Sequence, residues 1–234
     1  MNPDTKLIGA LLGLLAHDLR NPLSALQSNA SFLESVNGID GDGRDAISDL
    51  MVACDGLNLI IDNLDLLGRS LRPPEPSPRR AQRVEALVSD TVQRCARLAV
   101  SHGVDVVVDL PVELSGVAVG SHGDGVAKAL ANLLQNSLQH GPYGSKVVLS
   151  AERREPYVVI RVLDTGTRVD PDSADVAFSM EGQIHSKSTG CGRYGRGLGL
   201  YAAAECAKSG GASVKIGNGP GNCNCFELIC QEAS

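Results

Sequence analysis

A histidine with polar neighbours interrupts the first apolar segment of the chain. His17 is followed directly by Asp18, and Asn21 comes about one helical turn later. An imidazole attacks phosphorus only when one ring nitrogen is neutral, and a neighbouring carboxylate can orient the ring and accept its proton. Pro22 removes the helical hydrogen bond to the carbonyl of Asp18 and bends the helix beside the histidine. This arrangement predicts a phosphoryl acceptor at His17; the alternative is a surface histidine on a kinked helix.

Two asparagines in a later apolar segment form the second group of candidate residues. Asn132 and Asn136 are one helical turn apart, and Gln139 and His140 follow them closely. Amides are poor core residues, but their oxygens can face a hydrated Mg²⁺ that also bridges phosphate groups. The spacing therefore indicates a magnesium and phosphate site; the alternative is a helix with two polar surface positions.

An aspartate at the end of a predicted strand forms the third group. Asp164 follows the apolar segment 157–163, and Gly166 comes two residues later. A carboxylate at this position can accept a hydrogen bond from an exocyclic amine such as that of adenine. The glycine lets the backbone approach a ligand closely. The pair indicates a base-binding turn, and an ordinary Asp-Gly turn is the alternative.

Alternating glycines form the fourth group, in which Gly195, Gly197, Gly199 and Leu200 precede an alanine-rich helix. Glycines at a helix N-terminus expose amides and the positive end of the helix dipole to phosphate oxygens. The Gly-x-Gly-x-Gly order differs from the dinucleotide-binding pattern Gly-x-Gly-x-x-Gly, and no clear strand precedes it. The polar, glycine-rich segment 181–194 predicts a flexible lid, with a solvated loop as the alternative. Three side chains of this segment are long enough to reach phosphate groups: His185, Lys187 and Arg193.

Two helical patterns occupy the first third of the chain. Apolar residues recur at three- and four-residue spacing from residue 8 to residue 33, and the segment 35–43, rich in glycine and aspartate, follows. Two helices joined by this short segment would form an antiparallel hairpin. One hairpin is too thin to bury the apolar faces of both helices, so the sequence predicts a homodimer that forms a four-helix bundle. The second pattern is a heptad seam, made of Ile47, Leu50, Cys54, Leu57, Ile61 and Leu64.

A proline-rich segment separates this antiparallel hairpin from a region of mixed helices and strands. Residues 69–80 contain four prolines, which fix φ and remove backbone donors. The predicted fold is α+β, with a helical domain at 1–70, a linker at 71–81 and an α/β-sandwich domain at 82–234. Within the last domain, helices are predicted at 84–99, 125–139 and 197–209, and strands at 104–110, 146–151, 157–163, 213–217 and 225–230.

Composition narrows the class of protein. The 234 residues carry a formal net charge of −6 and only 3% are aromatic, which argues against a nucleic-acid-binding surface. The longest apolar run, 7–16, is about half as long as a membrane span and lacks the features of a signal peptide. Seven scattered cysteines favour a reduced, cytoplasmic protein. A metal site at Cys223, Cys225 and Cys230 is the alternative explanation of the last three.

In their order along the chain, these groups resemble the motifs of the two-component sensor histidine kinases. The motifs are HDLRNPL at 17–23, NLLQNSLQH at 132–140, DTG at 164–166 and GRGLGL at 195–200. The resemblance extends over about residues 7–230. It implies a dimerisation and phosphoacceptor hairpin, followed by a catalytic ATP-binding domain of the GHKL type, in an ATP-dependent protein-histidine kinase.

The resemblance also implies roles for the residues of the first motif. His17 would be autophosphorylated, Asp18 would assist the transfer, and Asn21 would promote dephosphorylation of the partner. The partner would be the receiver domain of a response regulator, whose aspartate takes the phosphoryl group. Because only sixteen residues precede His17, either the sequence is a piece of a longer protein, or the signal arrives through a separate sensor protein or an unusually short N-terminus.

The remaining motifs would bind ATP and Mg²⁺. Asn136 would be the magnesium ligand, Asp164 would recognise adenine, and the glycines would line the lid around the triphosphate. The complete ATP-binding set that the resemblance implies is Asn132, Asn136, Gln139, His140, Asp164, Gly166, Gly195, Gly197, Gly199 and Leu200.

Two positions depart from the family pattern. Gln139 stands where the family commonly has Lys or Arg, and Arg168 stands where it usually has a second glycine. Both favour an alternative function, a phosphotransfer or scaffold protein of the same architecture with a decayed nucleotide site. A GHKL-type ATPase unrelated to signalling is a further alternative, but it leaves the motif around His17 unexplained.

Overall fold

The computed structural model describes residues 3–36, 38–71, 77–169, 174–180, 182, 199–221 and 223–233. Its internal contacts divide the chain into two compact units, Met1–Glu75 and Pro76–Ser234. The first unit is helical and the second combines helices with a mixed sheet, so the predicted α+β fold class is confirmed. Among the described residues, no helix is both long enough and apolar enough to cross a membrane.

The first unit is an antiparallel hairpin of helices α1 (Pro3–Ser35) and α2 (Gly41–Ser70). Side chains pair in opposite order along the two helices: Arg20 with Asp62 at 2.9 Å and Gln27 with Asp55 at 3.3 Å. Helix α2 begins earlier than the glycine-rich sequence suggests. The reason is its N-cap, because the Asp40 carboxylate accepts a hydrogen bond of 2.8 Å from the Gly43 amide.

The apolar residues of the hairpin lie on two different faces. Residues seven apart on each helix are buried inside the hairpin, and Leu64 packs against them. Leu50 and Leu57 of the predicted heptad seam are exposed by 39% and 47%, so this seam is only half covered within one chain. The buried set is Ala16, Leu23, Ala30, Ile47, Cys54 and Ile61.

A five-stranded sheet forms the base of the second unit. Its strand order is β2–β4–β5–β7–β6; β2 and β4 are parallel and the other neighbours are antiparallel. The apolar runs predicted as strands are confirmed, each within two or three residues at its ends. The strands are β2 (Asp105–Asp109), β4 (Lys146–Arg154), β5 (Tyr157–Asp164), β6 (Ser213–Asn218) and β7 (Asn224–Gln231).

Helices α3 (Val84–His102), α4 (Gly125–His140) and α6 (Gly199–Ser209) accompany the sheet, and α5 (Ala174–Ala177) is a single turn. Helix α4 contacts both α3 and α6 and also strands of the sheet. Leu130, Leu133, Leu134 and Leu138 of α4 are fully buried. Helix α4 is therefore the central element of the core, and three of its polar residues are buried there: Asn132, Asn136 and Ser137.

An antiparallel ribbon of β1 (Arg79–Arg83) and β3 (Ala118–His122) was not predicted. Strand β1 begins directly after the last proline, at residues assigned to the linker. Its sequence RRAQR is polar and mostly exposed, so it lacks the apolar alternation of a strand. Strand β1 forms because it pairs with β3, whose residues Val119 and Ser121 are buried.

Candidate functional site

His17 lies on an exposed part of α1. Its side chain is 72% exposed, that of Asp18 is 77% exposed, and the His17 Nδ1 atom is 3.5 Å from the Asp18 Oδ1 atom. Asn21 and Pro22, in the next turn of the helix, are exposed too. The imidazole is therefore accessible to another molecule, with a carboxylate beside one ring nitrogen.

An ion-pair cluster beside His17 was missed by the sequence reasoning. The Arg20 guanidinium donates to Asp62 at 2.9 Å and lies 3.6 Å from Asp65, which also accepts from Arg69 at 2.8 Å. The hydrogen bond with Asp62 raises the pKa of Arg20 above its ordinary value. These pairs hold the turn that carries His17 against α2. They depend on the pairing of two helices, which no local pattern reveals.

Asn132 and Asn136 are buried in α4, being only 8% and 5% exposed. The alternative of two polar surface positions is therefore wrong. The Asn132 Nδ2 group donates to the Lys128 carbonyl at 2.9 Å. Within the described residues, however, Asn132 Oδ1 and Asn136 Nδ2 are buried without a hydrogen-bond partner. Because a buried polar atom is nearly always hydrogen-bonded, these two atoms indicate a polar ligand.

Asp164 ends strand β5 on the face of the sheet that the helices cover, and it is only 1% exposed. Its Oδ2 atom accepts from the Ser137 hydroxyl of α4 at 2.7 Å. Its Oδ1 atom accepts from the Gly166 amide at 2.8 Å and from the Asn224 side chain at 3.0 Å. The carboxylate is thus held from three sides beneath the turn that follows β5.

The first residue of α6 lies beside Asn136. A Cβ atom built on Gly199 would lie 3.8 Å from the Asn136 Cβ atom, and Leu200 is buried. Since Ser137 contacts Asp164, helix α4 brings the end of β5 and the start of α6 to neighbouring positions. Gly195, Gly197 and the predicted lid cations, which are His185, Lys187 and Arg193, lie outside the described residues.

The last turn of α4 holds the remaining predicted residues. Gln139 and His140 are half-buried there, and Arg168 is exposed on the turn after β5. The sequence reasoning also missed Asn224. The sequence feature that could have identified Asn224 is its place at the start of an apolar strand, where it alternates with the buried residues Phe226 and Leu228.

The donor set fits a nucleotide with its magnesium ion. Buried amide atoms that lack partners are suited to phosphate oxygens and to the hydrated Mg²⁺ that accompanies them. In the described part of the chain, Cys223, Cys225 and Cys230 do not form part of a cluster of three His, Cys, Asp or Glu side chains.

Two family models match the chain. Residues 8–72 match the His Kinase A (phospho-acceptor) domain. Residues 121–233 match the Histidine kinase-, DNA gyrase B-, and HSP90-like ATPase model. The two matches follow each other in the order of the two structural units.

Curated relatives are similar over most of this chain. The sensor protein DivL of Caulobacter vibrioides is 27% identical over 217 residues, which are 92% of this chain and 27% of that protein. The sensor-like histidine kinase SenX3 of Mycobacterium tuberculosis is 26% identical over 218 residues, 92% of this chain and 51% of that protein. The chain therefore spans between about a quarter and half of the length of these relatives.

Solved structures share the fold. The crystal structure of full-length ShkA in complex with AMPPNP has a TM-score of 0.64 at 21% identity, over 96% of this chain and 46% of that chain. The Acinetobacter baumannii histidine kinase AdeS has a TM-score of 0.55 at 16% identity, over 92% of this chain and 97% of that chain. With both family models, the sequence relatives and the fold in agreement, the chain belongs to the two-component sensor histidine kinases.

Proposed function

We propose that the chain is a protein-histidine kinase that transfers the γ-phosphoryl group of ATP to His17. The observation that carries this proposal is the pair of buried, unpartnered amide atoms on Asn132 and Asn136 beside the start of α6. A buried polar atom without a partner costs about 1–3 kcal/mol, so a ligand that supplies the missing hydrogen bonds is expected there. The relatives named as sensor histidine kinases, and the AMPPNP complex of ShkA, support ATP as that ligand.

The base of the nucleotide would bind at the end of β5. The Asp164 carboxylate would accept a hydrogen bond from the adenine amine, and Gly166 would let the backbone lie close to the ring. The burial of Asp164 strengthens such a hydrogen bond, since the surroundings contain little water.

The phosphate groups would bind along the last turns of α4 and the start of α6. Gln139 and the unpartnered Asn136 Nδ2 group would donate to phosphate oxygens, with His140 close by. The unpartnered Asn132 Oδ1 atom would accept from the water of the hydrated ion, and the amide oxygen of Asn136 would be the ligand for Mg²⁺. When bound, Mg²⁺ supplies neutralisation of the phosphate charge. Amide groups of the glycine segment would hold the triphosphate at the N-terminus of α6, through Gly195, Gly197, Gly199 and Leu200.

His17 would act as the nucleophile. Its Nδ1 atom lies near the Asp18 carboxylate, so Nε2 is the atom that attacks the γ-phosphorus. A nitrogen–phosphorus bond forms, the bond to the β-phosphate oxygen breaks, and ADP leaves with the electron pair. Asp18 takes up the ring proton from Nδ1. The phosphoryl group would then pass to an aspartate of a response regulator receiver domain, and Asn21 would assist its later hydrolysis.

The acting unit would be a homodimer. Leu15, Leu19, Leu26 and Leu33 of α1 are exposed by 43–47%, although they continue the apolar pattern. A second hairpin that packs on this face would complete a four-helix bundle. The free cysteines of the described residues support a reducing, cytoplasmic compartment, and a separate sensor protein could supply the signal.

The alternative is a phosphotransfer or scaffold protein with a decayed nucleotide site. Gln139 and the exposed Arg168 favour it, because each replaces a residue that the family pattern uses at the nucleotide. The kinase and the scaffold differ in one measurable property, the transfer of label from ATP.

The test incubates the purified chain with Mg²⁺ and γ-labelled ATP, beside Asn136→Ala and a control, His122→Ala, in the exposed end of β3. The kinase predicts label on the wild type and on the control, and at least a tenfold loss in Asn136→Ala. Absence of label from all three, together with no binding of nucleotide in a titration, would refute the kinase and favour the alternative.

A further inference from the structure

The side chain of Asn224, the first residue of β7, lies within hydrogen-bonding distance of Asp164 and of three residues in the turn that follows β5. Its Nδ2 group lies 3.0 Å from Asp164 Oδ1, 3.2 Å from the Gly166 carbonyl and 3.4 Å from the Thr167 carbonyl. Its Oδ1 atom accepts from the Val169 amide at 2.8 Å. Asn224 is only 3% exposed, so these contacts are made out of reach of bulk water.

Asn224 is opposite Asp164 in the sheet. The two residues are Cα partners at the ends of β5 and β7, and both face the helices. The side-chain amide of Asn224 therefore extends the hydrogen bonding between the two strands into the turn 165–169. The turn and the Asp164 carboxylate are both hydrogen-bonded to this amide, so a movement of either one breaks hydrogen bonds to Asn224.

Arg168 explains why the turn needs the hydrogen bonds of Asn224. The family pattern usually has glycine at this position, and a glycine adapts its backbone to a ligand with little steric penalty. With arginine at 168, the backbone of the turn has fewer conformations available. The amide of Asn224 holds residues on both sides of Arg168, Thr167 and Val169, while the arginine side chain stays exposed.

We propose that Asn224 is a positioning residue for base recognition, which holds the Asp164 carboxylate and the turn 165–169 in the geometry that binds the 6-amino group of adenine. The proposal rests on the proposed function, because it presumes that ATP binds at Asp164. It adds a residue outside the family motifs and explains how the turn keeps its shape without a second glycine.

The physical basis is the orientation of a buried carboxylate. Ser137 holds Oδ2 from α4, and Asn224 with the Gly166 amide holds Oδ1. Removal of the Asn224 amide leaves Oδ1 with one fewer donor and frees the turn from β7. Since hydrogen bonds depend steeply on angle, a rotated carboxylate binds the amine less well.

The test compares the binding of ATP and of inosine triphosphate, which carries an oxygen in place of the 6-amino group, by calorimetric titration with Mg²⁺. Two variants are tested. Asn224→Asp replaces the donating Nδ2 group by an accepting oxygen at constant size, and Asn224→Ala removes the side-chain amide without adding charge. Cys230→Ala is the matched control, because Cys230 is buried on the same face of β7 at the opposite end of the strand.

We expect the wild type to prefer ATP and both Asn224 variants to lose about tenfold to a hundredfold in ATP affinity, with inosine triphosphate little affected. Cys230→Ala should melt at a lower temperature but keep the preference for ATP. If the wild type prefers ATP and both Asn224 variants retain that preference, the role of Asn224 is refuted while the kinase stands. If the wild type binds neither nucleotide, both proposals fail.

Discussion

At the scale of single residues, the asparagines of α4 combine burial with unused hydrogen-bonding capacity, which lowers stability but suits the proposed nucleotide site. Asn132 and Asn136 are buried among leucines, yet each has an amide atom without a partner in the described residues. Such an atom lowers the stability of the nucleotide-free chain by about 1–3 kcal/mol. Leucine at the same positions would pack better but would bind neither phosphate nor magnesium.

Asn136→Ala should weaken nucleotide binding much more than it changes the stability of the chain. We expect the free energy of unfolding without nucleotide to change by less than about 1 kcal/mol, because the variant also removes an unsatisfied donor. Affinity for Mg-ATP should fall at least tenfold. Chemical denaturation and nucleotide titration measure the two quantities. The control Leu133→Ala, at a fully buried apolar position of the same helix, should cost about 2–5 kcal/mol. An equally large loss for Asn136→Ala would contradict this account.

The residue types of the site could be predicted from the sequence, but their contacts could not. Spacing marked Asn132, Asn136 and Asp164 because polar residues interrupted regular apolar patterns. Asn224 carried no such mark, since its role depends on being opposite Asp164 in the sheet, which is 60 residues away in sequence. The pairing of Arg20 with Asp62 escaped for the same reason.

At the scale of elements, the two helices of the hairpin have more apolar surface than one chain can bury. Ala16, Leu23 and Ala30 are inside the hairpin, and a second series seven residues apart remains exposed: Leu19, Leu26 and Leu33. Heptad spacing on an uncovered face is typical of a helix that packs against a partner. The second hairpin of a dimer is the partner that the proposed bundle provides.

We predict that Leu19→Asp combined with Leu26→Asp converts the proposed dimer into a monomer of 24.4 kDa. Two charges would be buried at the interface without partners, which is strongly unfavourable. Light scattering with size-exclusion chromatography gives the molar mass. Ser24→Asp, at an exposed position between them, is the control and should remain dimeric. A wild type that is already monomeric at micromolar concentration would rule out the dimer.

Ion pairs connect neighbouring strands on the solvent-facing side of the sheet. Arg161 of β5 donates to Glu152 of β4 at 2.6 Å and to Glu227 of β7 at 3.0 Å, so three neighbouring strands are linked. Hydrogen bonds from Arg154 and Arg161 lower the pKa of Glu152 from its ordinary value of 4.5 to about 2.

A lowered pKa makes this contribution dependent on pH. Above pH 4.5 the pairing of Glu152 stabilises the folded domain, and the contribution is lost as the pH falls towards the folded pKa of about 2. We therefore predict that Glu152→Gln melts at a lower temperature than the wild type near neutral pH and that the difference shrinks in acid. Scanning calorimetry over this range measures it, with Glu113→Gln, at an exposed position outside the sheet, as the control. A difference that grows in acid would contradict the assignment.

An element could be predicted from the sequence when it buries apolar side chains in a regular pattern. The strands β4, β5 and β7 have apolar runs because they lie in the middle of the sheet, and the helices have regular spacing because one side is covered. The ribbon of β1 and β3 could not be predicted, since β1 is polar and buries little. The start of α2 was placed too late because Asp40, an N-cap, resembles part of a turn in sequence.

At the scale of the whole molecule, the two units differ in charge. Residues 1–75 contain eleven acidic and five basic residues, so this unit carries the entire formal net charge of −6. Residues 76–234 contain sixteen of each and are neutral. An anionic helical unit attracts basic surfaces over distances of about a Debye length, so a docking partner is expected to present one.

Two units with separate cores should also unfold separately. We predict two calorimetric transitions in the full chain. A non-hydrolysable ATP analogue at about a hundred times its dissociation constant should stabilise only the transition of the second unit, by about 2.7 kcal/mol. Higher protein concentration should raise only the transition of the first unit, because the proposed bundle would form by association of two chains. A single transition that responds to both changes would contradict this division.

Transfer of a phosphoryl group from ATP to His17 is the proposed reaction, and it is tested by identifying the residue that carries the phosphoryl group. The full chain is incubated with Mg-ATP, digested at alkaline pH, where phosphohistidine is stable, and analysed by mass spectrometry, beside His17→Ala. We predict a phosphoryl group on His17 in the wild type and none anywhere in the variant. A phosphoryl group on another residue, or one that persists in His17→Ala, would contradict the account.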